Sequence, residues 1–415
     1  MRHTWRSPLP YLFLASLFIN IPAWAQESAP ILSWSRIEES ISSHPTFRAS
    51  QEGVAVAEGE IRVTKQYPNP DFGVRLGAAD PKGAPERTFI WDLELTVPVE
   101  WPGKYIYRSQ AAGYGVEAAK HEAQAARLEV WRQLRALYLT IAFDQEKLRL
   151  LRESEAEAVR LAEAARARVD KGEARPVEWN RAQGELEEHR IALNTAEKEA
   201  AAHREQLNLW LGGKLPAVFI VEADLEATGQ VPELEDAMRT AMAENPAIQA
   251  AKAKNRQAES SAVAERHAAV PSLGMGGFYG QELDSTNYGG LITIGLPLWN
   301  WNLGGIAKAD AEKRRAYAET ERVEREVREA VIAAHAKAQA ALQALARYRD
   351  SVLPVSEKTF QDMGQLYQTG ETGLMDVLDA RRAHLRAQAA YQTELVNYYF
   401  AMLDLSVWMG GNTHA

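Results

Sequence analysis

The chain has 415 residues, a formal net charge of −9 and no cysteine. Without cysteine we expect no disulfide, no thiolate metal site and no lipidated N-terminal cysteine. An acidic chain without a concentrated basic stripe argues against a nucleic-acid partner.

The first 25 residues have the features of a secretory signal peptide. Arg2 and Arg6 form a basic start, an apolar run from Leu9 to Ile21 follows, and Ala23-Trp24-Ala25 is the small-x-small pattern at which signal peptidase cuts. A retained N-terminal anchor is the alternative, but the run is short for a spanning helix. We expect export with residues 1–25 removed. After them no apolar stretch reaches the ~18 residues of a spanning helix, so insertion into a membrane would have to use strands.

The second half of the chain repeats the first half at a nearly constant offset, which predicts two copies of one unit. We place the copies at 26–232 and 233–411, with a C-terminal tail at 412–415. The matching landmarks are Pro45 with Pro246, Pro70 with Pro271, Gly73 with Gly274, Gly172-Glu173 with Gly370-Glu371, and 209–213 with 407–411.

Each copy is predicted to read helix, strand, strand, helix, helix. The opening helices are expected at about 36–67 and 233–268. Period-two alternation predicts two strands per copy, and runs rich in Ala, Glu, Arg and Leu predict long helices. The strands are expected at about 70–80, 88–98, 271–280 and 290–298, with a turn at 281–290. The long helices are expected at about 104–170, 176–211, 306–369 (broken at Pro354) and 374–409.

Two readings of these elements remain open. A soluble coiled-coil rod or hairpins on a soluble core would explain the helices, but not strands with one apolar and one polar face. Aromatic residues near the strand ends fit a membrane-interface girdle. These are Trp91, Trp101, Tyr105, Trp299 and Trp301. Four strands cannot close a barrel alone, and open edges do not persist in lipid, so the membrane reading requires several chains in a closed ring.

Three motifs resemble the TolC family of outer-membrane factors over nearly the whole mature chain. They are the helix starts His44-Pro45 and Asn245-Pro246, the strand-to-helix joints at 95–104 and 295–305, and the turn at 370–380. The joints are similar to the cobalt–zinc–cadmium (CzcC-type) branch.

The resemblance implies a mainly α fold with a membrane β-barrel part. Three chains would form a 12-stranded barrel continued by a long periplasmic α-barrel. It implies a passive exit duct in the outer membrane, with lipid, a periplasmic adaptor and an inner-membrane transporter as partners, and neither enzyme activity nor cofactor. The resemblance to the CzcC-type branch favours divalent heavy-metal ions as the cargo. Drugs or secreted peptides are the alternative cargo, and a periplasmic coiled-coil adaptor or scaffold is the alternative class.

The resemblance also places functional residues at the ends of the two helical hairpins. Asp376 and Asp379 share one helical face and would line the narrow periplasmic end, with Glu178 at the matching place in the first copy. The alternative is that the acids only favour a helix N-terminus. The tip turns, expected to contact the adaptor, comprise Gly172, Glu173, Arg175, Gly370, Glu371, Thr372 and Gly373.

In the TolC family, polar contacts between neighbouring tip turns hold the periplasmic end closed. The same contacts cannot be assigned to residues of this chain. Thr372 stands where a basic residue is often found. We expect Arg175 to substitute by pairing with an acid such as Glu371 across a subunit interface. The histidines are dispersed without the spacing of a ligand cluster, and no catalytic constellation stands out, so we expect no metal site.

Overall fold

The computed structural model describes residues 30–79, 88–225, 229–283 and 285–411. The expected signal peptide and the tail at 412–415 lie outside these residues. The elements are, in order, β1 (Ile31–Leu32), α1 (Trp34–Ser40), a 3-10 turn (Ile41–Ser43), α2 (Pro45–Thr64), β2 (Asp71–Ala79), β3 (Thr88–Val99), α3 (Pro102–Asp170), α4 (Pro176–Trp210), β4 (Ile220–Val221), α5 (Leu234–Glu244), α6 (Pro246–His267), β5 (Ser272–Glu282), β6 (Ser285–Gly295), α7 (Leu303–Arg347), a π-helical turn (Tyr348–Val352), α8 (Leu353–Thr369) and α9 (Leu374–Trp408).

The four longer strands form one antiparallel sheet in the order β2-β3-β5-β6. The two hairpins therefore meet through β3 and β5, and β2 and β6 form the two edges. A separate parallel pair joins β1 to β4. The succession α2, β2, β3, α3, α4 recurs as α6, β5, β6, α7–α8, α9.

The helical part is an elongated bundle. Helix α3 has 69 residues, which at 1.5 Å per residue corresponds to about 100 Å. It packs against α2 and α6 near the sheet, and α4 returns along its other half; α9 likewise returns along α7 and α8. Many buried positions between these helices are alanine, and small side chains let helix backbones approach closely.

Several short elements pack on the middle of the bundle. Elements α1, β1 and β4 pack on α3 around Tyr138, whose hydroxyl donates to the carbonyl oxygens of Leu32 and Glu222. Helix α5 packs against α7 and α9 in an adjacent cluster that contains Val331 and Leu405. A further cluster joins the two repeats, with Leu139 and Phe143 of α3 packed among residues of the second repeat that include Leu395.

The expectation of one opening helix per copy is wrong at the His-Pro and Asn-Pro motifs. Both residues before proline are extended, with ψ of 135° at His44 and 121° at Asn245, because proline disfavours the helical conformation of the preceding residue. Each then caps a new helix: Thr46 N–H donates to His44 Nδ1 at 3.3 Å, and Ala247 N–H to Asn245 Oδ1 at 2.9 Å.

The second hairpin also differs from expectation. Its strands run Ser272–Glu282 and Ser285–Gly295, so the expected long turn at 281–290 is wrong and the last strand begins and ends earlier. Polar and glycine residues at 285–290 mimic a loop, yet they pair in register with β5, as Tyr279 does with Tyr288. Pro297 cannot donate to a ladder, and the chain turns there through Leu298 N–H to Leu296 O.

The expected break at Pro354 is also wrong. The π-helical turn at Tyr348–Val352 joins α7 to α8, and Pro354 lies in the first turn of α8. Such a widened turn is one way a helix accommodates a missing donor and the bulk of a proline ring. Helical structure therefore continues from Leu303 to Thr369.

Candidate functional site

The register of the sheet gathers its apolar side chains on one face. Directly paired residues of antiparallel strands point to the same side, and successive residues alternate. The face runs across all four strands, and most of its side chains are exposed in the single chain. It carries Phe72, Val74, Leu76, Trp91, Leu93, Leu95, Val97, Leu273, Met275, Tyr279, Tyr288, Ile292 and Ile294.

The opposite face of the sheet is polar and rich in glycine. Arg75 Nη1 lies 3.1 Å from Asp92 Oδ2, and Arg75 Nη2 lies 3.9 Å from Glu94 Oε2. Gly276 faces Thr96, and a Cβ on Gly276 would lie 2.1 Å from the carbonyl oxygen of Leu95. Glycine is thus required there for β5 to approach β3. Within the part of the chain that is described, no helix has the length and apolar character needed to cross a membrane.

The predicted girdle residues lie at both ends of the sheet. Trp101, just before α3, donates from Nε1 to His267 Nδ1 at 3.3 Å, and Tyr105 stacks on Tyr67 with a centroid distance of 5.9 Å. Trp299 and Trp301 follow β6; Trp299 is 93% exposed. Trp91 lies toward the other end of β3, with its ring 5.8 Å from that of Tyr279. Trp91 therefore lies toward one end of the apolar face, and the other four aromatic residues lie beyond its opposite end.

The two helical hairpins end in similar turns. At the end of α3, Gly172 has φ +75° and Glu173 N–H donates to Arg168 O at 2.9 Å. At the end of α8, Gly370 has φ +81° and Glu371 N–H donates to Leu366 O at 2.9 Å. This is the Schellman arrangement, in which a left-handed residue ends the helix, and glycine adopts it without strain.

The acids after each turn cap the returning helices. Glu178 Oε1 accepts from Arg175 N–H at 3.5 Å in the first turn of α4. Asp376 Oδ2 accepts from Gly373 N–H at 3.4 Å and from the Thr372 hydroxyl at 2.6 Å in the first turn of α9. The capping role set out as the alternative is therefore present for Glu178 and Asp376. It leaves their charge in place, since the carboxylate accepts these bonds as an anion.

Asp379 is placed differently from Asp376. Asp376 and Asp379 are both exposed, but Asp379 Oδ1 lies 3.9 Å from Arg382 Nη1. Arg382 also pairs with Glu185 of α4. The single chain therefore brings Asp376 and Asp379 to one exposed end of the bundle.

A contact between the two tips was not foreseen from the sequence. The guanidinium of Arg168 lies 4.5 Å from the ring centroid of Tyr367, and its Nη1 donates to Tyr367 O at 3.3 Å. Apolar side chains of all four helices pack beneath this contact, among them Leu186 and Leu378. The two residues are 199 positions apart, and no local pattern points to such a pair.

The predicted pairing of Arg175 with Glu371 concerns two subunits and stays a prediction. Both side chains are exposed at neighbouring turns. Among the described residues, no group of three or more His, Asp or Glu side chains is arranged to hold a metal ion.

The comparison with known proteins decides the family. The model of the family described as outer membrane efflux protein matches residues 36–213 and 237–411. The chain belongs to this family. The two matched segments correspond closely to the two repeats of the fold, and the family has a transporter-type function, efflux through the outer membrane.

Similar proteins cover almost the whole chain. The cobalt-zinc-cadmium resistance protein CzcC of Cupriavidus metallidurans is 22% identical over 395 residues, which are 94% of this chain and 93% of that protein. The structure of CusC matches with a TM-score of 0.77 at 17% identity, covering 91% of both chains. The CmeC outer membrane channel of Campylobacter jejuni matches with a TM-score of 0.74 at 18% identity, covering 90% of this chain and 84% of that one. The fold is therefore that of the TolC-type channels.

Proposed function

We propose that three copies of this chain form the exit duct of a tripartite efflux pump and passively conduct divalent heavy-metal ions from the periplasm to the exterior. A periplasmic adaptor and an inner-membrane transporter complete the pump. The observation that carries the proposal is the continuous apolar face on a four-stranded sheet whose two edge strands have no partner within the described chain.

The sheet gives the reason for assembly. An open edge exposes backbone donors and acceptors, and each such group costs several kcal/mol in hydrocarbon. Pairing β6 of one copy with β2 of the next satisfies both edges, and three copies give twelve strands, an even number typical of these barrels. The apolar face then contacts outer-membrane lipid between the aromatic groups at Trp91 and at Trp101, Tyr105, Trp299 and Trp301. The face with Arg75, Asp92 and Glu94 lines the lumen.

The helical hairpins extend the duct into the periplasm. Asp376, Asp379 and Glu178 surround the narrow end, where three copies bring several carboxylates together. Because a ring of acids concentrates cations and repels anions, it favours a cationic cargo. Asp376 and Glu178 serve two roles, since a carboxylate that caps a helix keeps its charge. The exposed turns, which include Glu173, Glu371 and Thr372, meet the tips of the adaptor.

Two observations support divalent metal ions as the cargo. The relative named for cobalt-zinc-cadmium resistance aligns over most of the chain, and the acids of the tips suit divalent cations. A duct need not hold its cargo tightly, since tight binding slows passage.

Membrane fractionation and planar bilayers test the channel. We expect the mature protein in the outer-membrane fraction as a trimer that forms cation-selective pores. A water-soluble monomer without pore activity would refute the proposal.

For the cargo, cells lacking the protein should become sensitive to zinc, cobalt or cadmium salts and recover with the wild-type gene. Sensitivity to drugs alone, with normal metal tolerance, would refute the metal assignment and leave the channel intact.

A further inference from the structure

Beside the sheet, the two repeats join through one strand pair and one helix pair. Strand β3 pairs with β5, and α3, which follows β3, packs against α6, which precedes β5. The same order of elements occurs at the two edges of the sheet, since α7 follows β6 and α2 precedes β2. Where β6 of one copy pairs with β2 of the next, as in the proposed ring, α7 and the neighbouring α2 take the places of α3 and α6.

Helix α2 has an apolar face that is exposed in the single chain. Val56 is 74% exposed and Val63 58% exposed, and Ala49 lies on the same side of the helix one spacing earlier. A Cβ on Gly59, between the two valines, would meet nothing within 4 Å. The described part of the chain therefore does not require glycine there, although glycine in a helix interior costs about 0.5–1 kcal/mol relative to alanine. Such a face suits the close approach of another helix.

The matching face of α6 is covered by the long helix of the first repeat. Gln257, the counterpart of Val56, lies against α3, with its Nε2 3.0 Å from the position that a Cβ on Gly115 would take. Ser260, the counterpart of Gly59, is buried. What α3 does for α6 is thus missing for α2 within the described chain.

The equivalent long helix for α2 is α7. Helices α2 and α6 begin at 45 and 246, and α3 and α7 begin at 102 and 303, so both pairs are offset by 201 residues. At this offset Ala316 takes the place of Gly115. Ala316 has the Cβ that Gly115 lacks, and Val56 is shorter than Gln257, so the two differences compensate in volume. The pair Val56 and Ala316 can therefore pack as Gln257 and Gly115 do.

Ion pairs fix the register of α6 on α3. Arg256 Nη2 lies 2.6 Å from Glu117 Oε1, and Lys254 pairs with Glu122, so the two helices run antiparallel. Transferred by 201 residues, these pairs set residue 55 of α2 beside 318 of α7, and residue 53 beside 323. The register of α2 on a neighbouring α7 is therefore specified.

The charges of α2 and α7 are complementary in this register. Three pairs of opposite charge face each other: Arg48 with Glu326, Glu52 with Arg322, and Arg62 with Glu312. The three α2 side chains are exposed and have no ion-pair partner within the described residues. Arg322 and Glu326 already pair along α7, so the α2 charges extend an existing network. A shift by one helical turn sets Arg48 against Arg322 or Glu52 against Glu326, and like charges disfavour both.

We propose that α2 of each copy packs antiparallel on α7 of the neighbouring copy, with Val56 against Ala316, in the register that α6 keeps on α3. The partner of this face is a second copy of the chain, because α7 supplies the complementary charges and follows the strand that β2 pairs with. This inference rests on the proposed ring of copies and assigns its helical interface.

The absence of cysteine from the sequence allows a direct test by disulfide formation. V56C and A316C are made as two separate single-cysteine chains, produced in one cell and oxidised in the membrane fraction. We expect a covalent dimer on a non-reducing gel, since a disulfide forms only where two Cβ atoms come within about 4.5 Å. V56C with A336C is the control, because Ala336 is an exposed alanine about 30 Å farther along α7. It should give no dimer beyond that of either cysteine chain alone.

Charge reversal tests the register in the same assay. R62E in the V56C chain should lower the yield of dimer several-fold, and E312R in the A316C chain should restore it. A yield that R62E leaves unchanged, or that E312R lowers further, overturns the register.

The oligomeric state separates this inference from the proposed channel. A protein that is trimeric by mass in detergent, yet gives no V56C–A316C dimer by oxidation or with a short bismaleimide, overturns the helical interface and leaves the channel intact. An equal dimer yield with A336C also overturns the interface. A monomer overturns both proposals.

Discussion

Arg168 at the end of α3 lies against Tyr367 at the end of α8, with its guanidinium 4.5 Å from the ring centroid and a hydrogen bond of 3.3 Å to the Tyr367 carbonyl oxygen. One side chain thus makes a cation–π contact and gives a second donor to the Tyr367 carbonyl oxygen, which also accepts from Gly370 N–H at 3.2 Å. Because the two residues belong to different hairpins, the contact joins the first repeat to the second at the end farthest from the sheet.

Removing this contact should loosen the tips. We expect R168A to lower the free energy of unfolding by about 1–2 kcal/mol, from the lost cation–π contact and hydrogen bond. In the proposed channel it should also increase conductance in planar bilayers. R166A is the control, since Arg166 lies on the same helix but contacts Trp179 within its own hairpin. Equal effects of the two variants would contradict a specific link between the hairpins.

The charge of the tip acids is separable from their capping role. D376N with D379N keeps side chains of nearly the same size and an acceptor oxygen on each, so we expect the helices to remain intact while cation selectivity falls. Reversal potentials under a salt gradient in planar bilayers measure the change. D362N neutralises another exposed acid, on α8, and should leave selectivity unaltered. Selectivity equal to that of wild type in the double variant would remove these acids from the aperture.

Two adjacent residues of β6 test which face of the sheet contacts lipid. Ile292 belongs to the apolar face and Thr293 to the opposite face. An arginine on the lipid side of a barrel costs up to about 2–4 kcal/mol at mid-depth. I292R should therefore reduce the amount of trimer assembled in the outer membrane, whereas T293R should assemble normally and lower conductance for cations. If T293R is the variant that fails to assemble, the assignment of faces is reversed.

The matched residues His44 and Asn245 should differ in their contribution to stability. Asn245 is 3% exposed; its Oδ1 caps α6, and its Nδ2 donates to Trp408 O at 3.0 Å. His44 is only half-buried and caps α2 through one bond. We expect N245A to cost about 2–3 kcal/mol and H44A about 1 kcal/mol or less in chemical denaturation. The reverse order would be inconsistent with the buried contact to α9.

His189 should make stability depend on pH. Burial is the main cause that lowers the pKa of His189 below its ordinary value of 6.5, and the nearby positive charge of Arg381 adds to it. The unfolded state therefore binds the proton more readily, so the free energy of unfolding falls as the pH drops below 6.5. We expect H189Q to lose less stability than wild type between pH 7.5 and 5.5. Burial also lowers the pKa of His44. The H189Q variant should therefore retain the part of the pH dependence that comes from His44. Identical pH profiles would contradict this assignment.

The sequence alone determined the elements whose causes are local. Alternation between apolar and polar residues marked all four strands, and runs of strong helix formers marked the long helices, because both signals arise from side chains a few positions apart. The glycines of the two tip turns and the acids that follow them were placed by the resemblance to the TolC family, and their role in an aperture stays a prediction. The local signals failed at residues 285–290, where polar and glycine residues of β6 resemble a loop, and at Pro354, where a π-helical turn continues the helix.

The tertiary structure alone decided which residues from different repeats meet. The pairing of β3 with β5, the contact of Arg168 with Tyr367 and the burial of Arg381 join positions roughly 200 residues apart in sequence. No periodicity specifies such contacts, since they depend on how two long hairpins pack along their whole length. A sequence can state that a residue is charged or aromatic, but only packing determines whether that residue lies in solvent, in a cavity or against its counterpart from the other repeat.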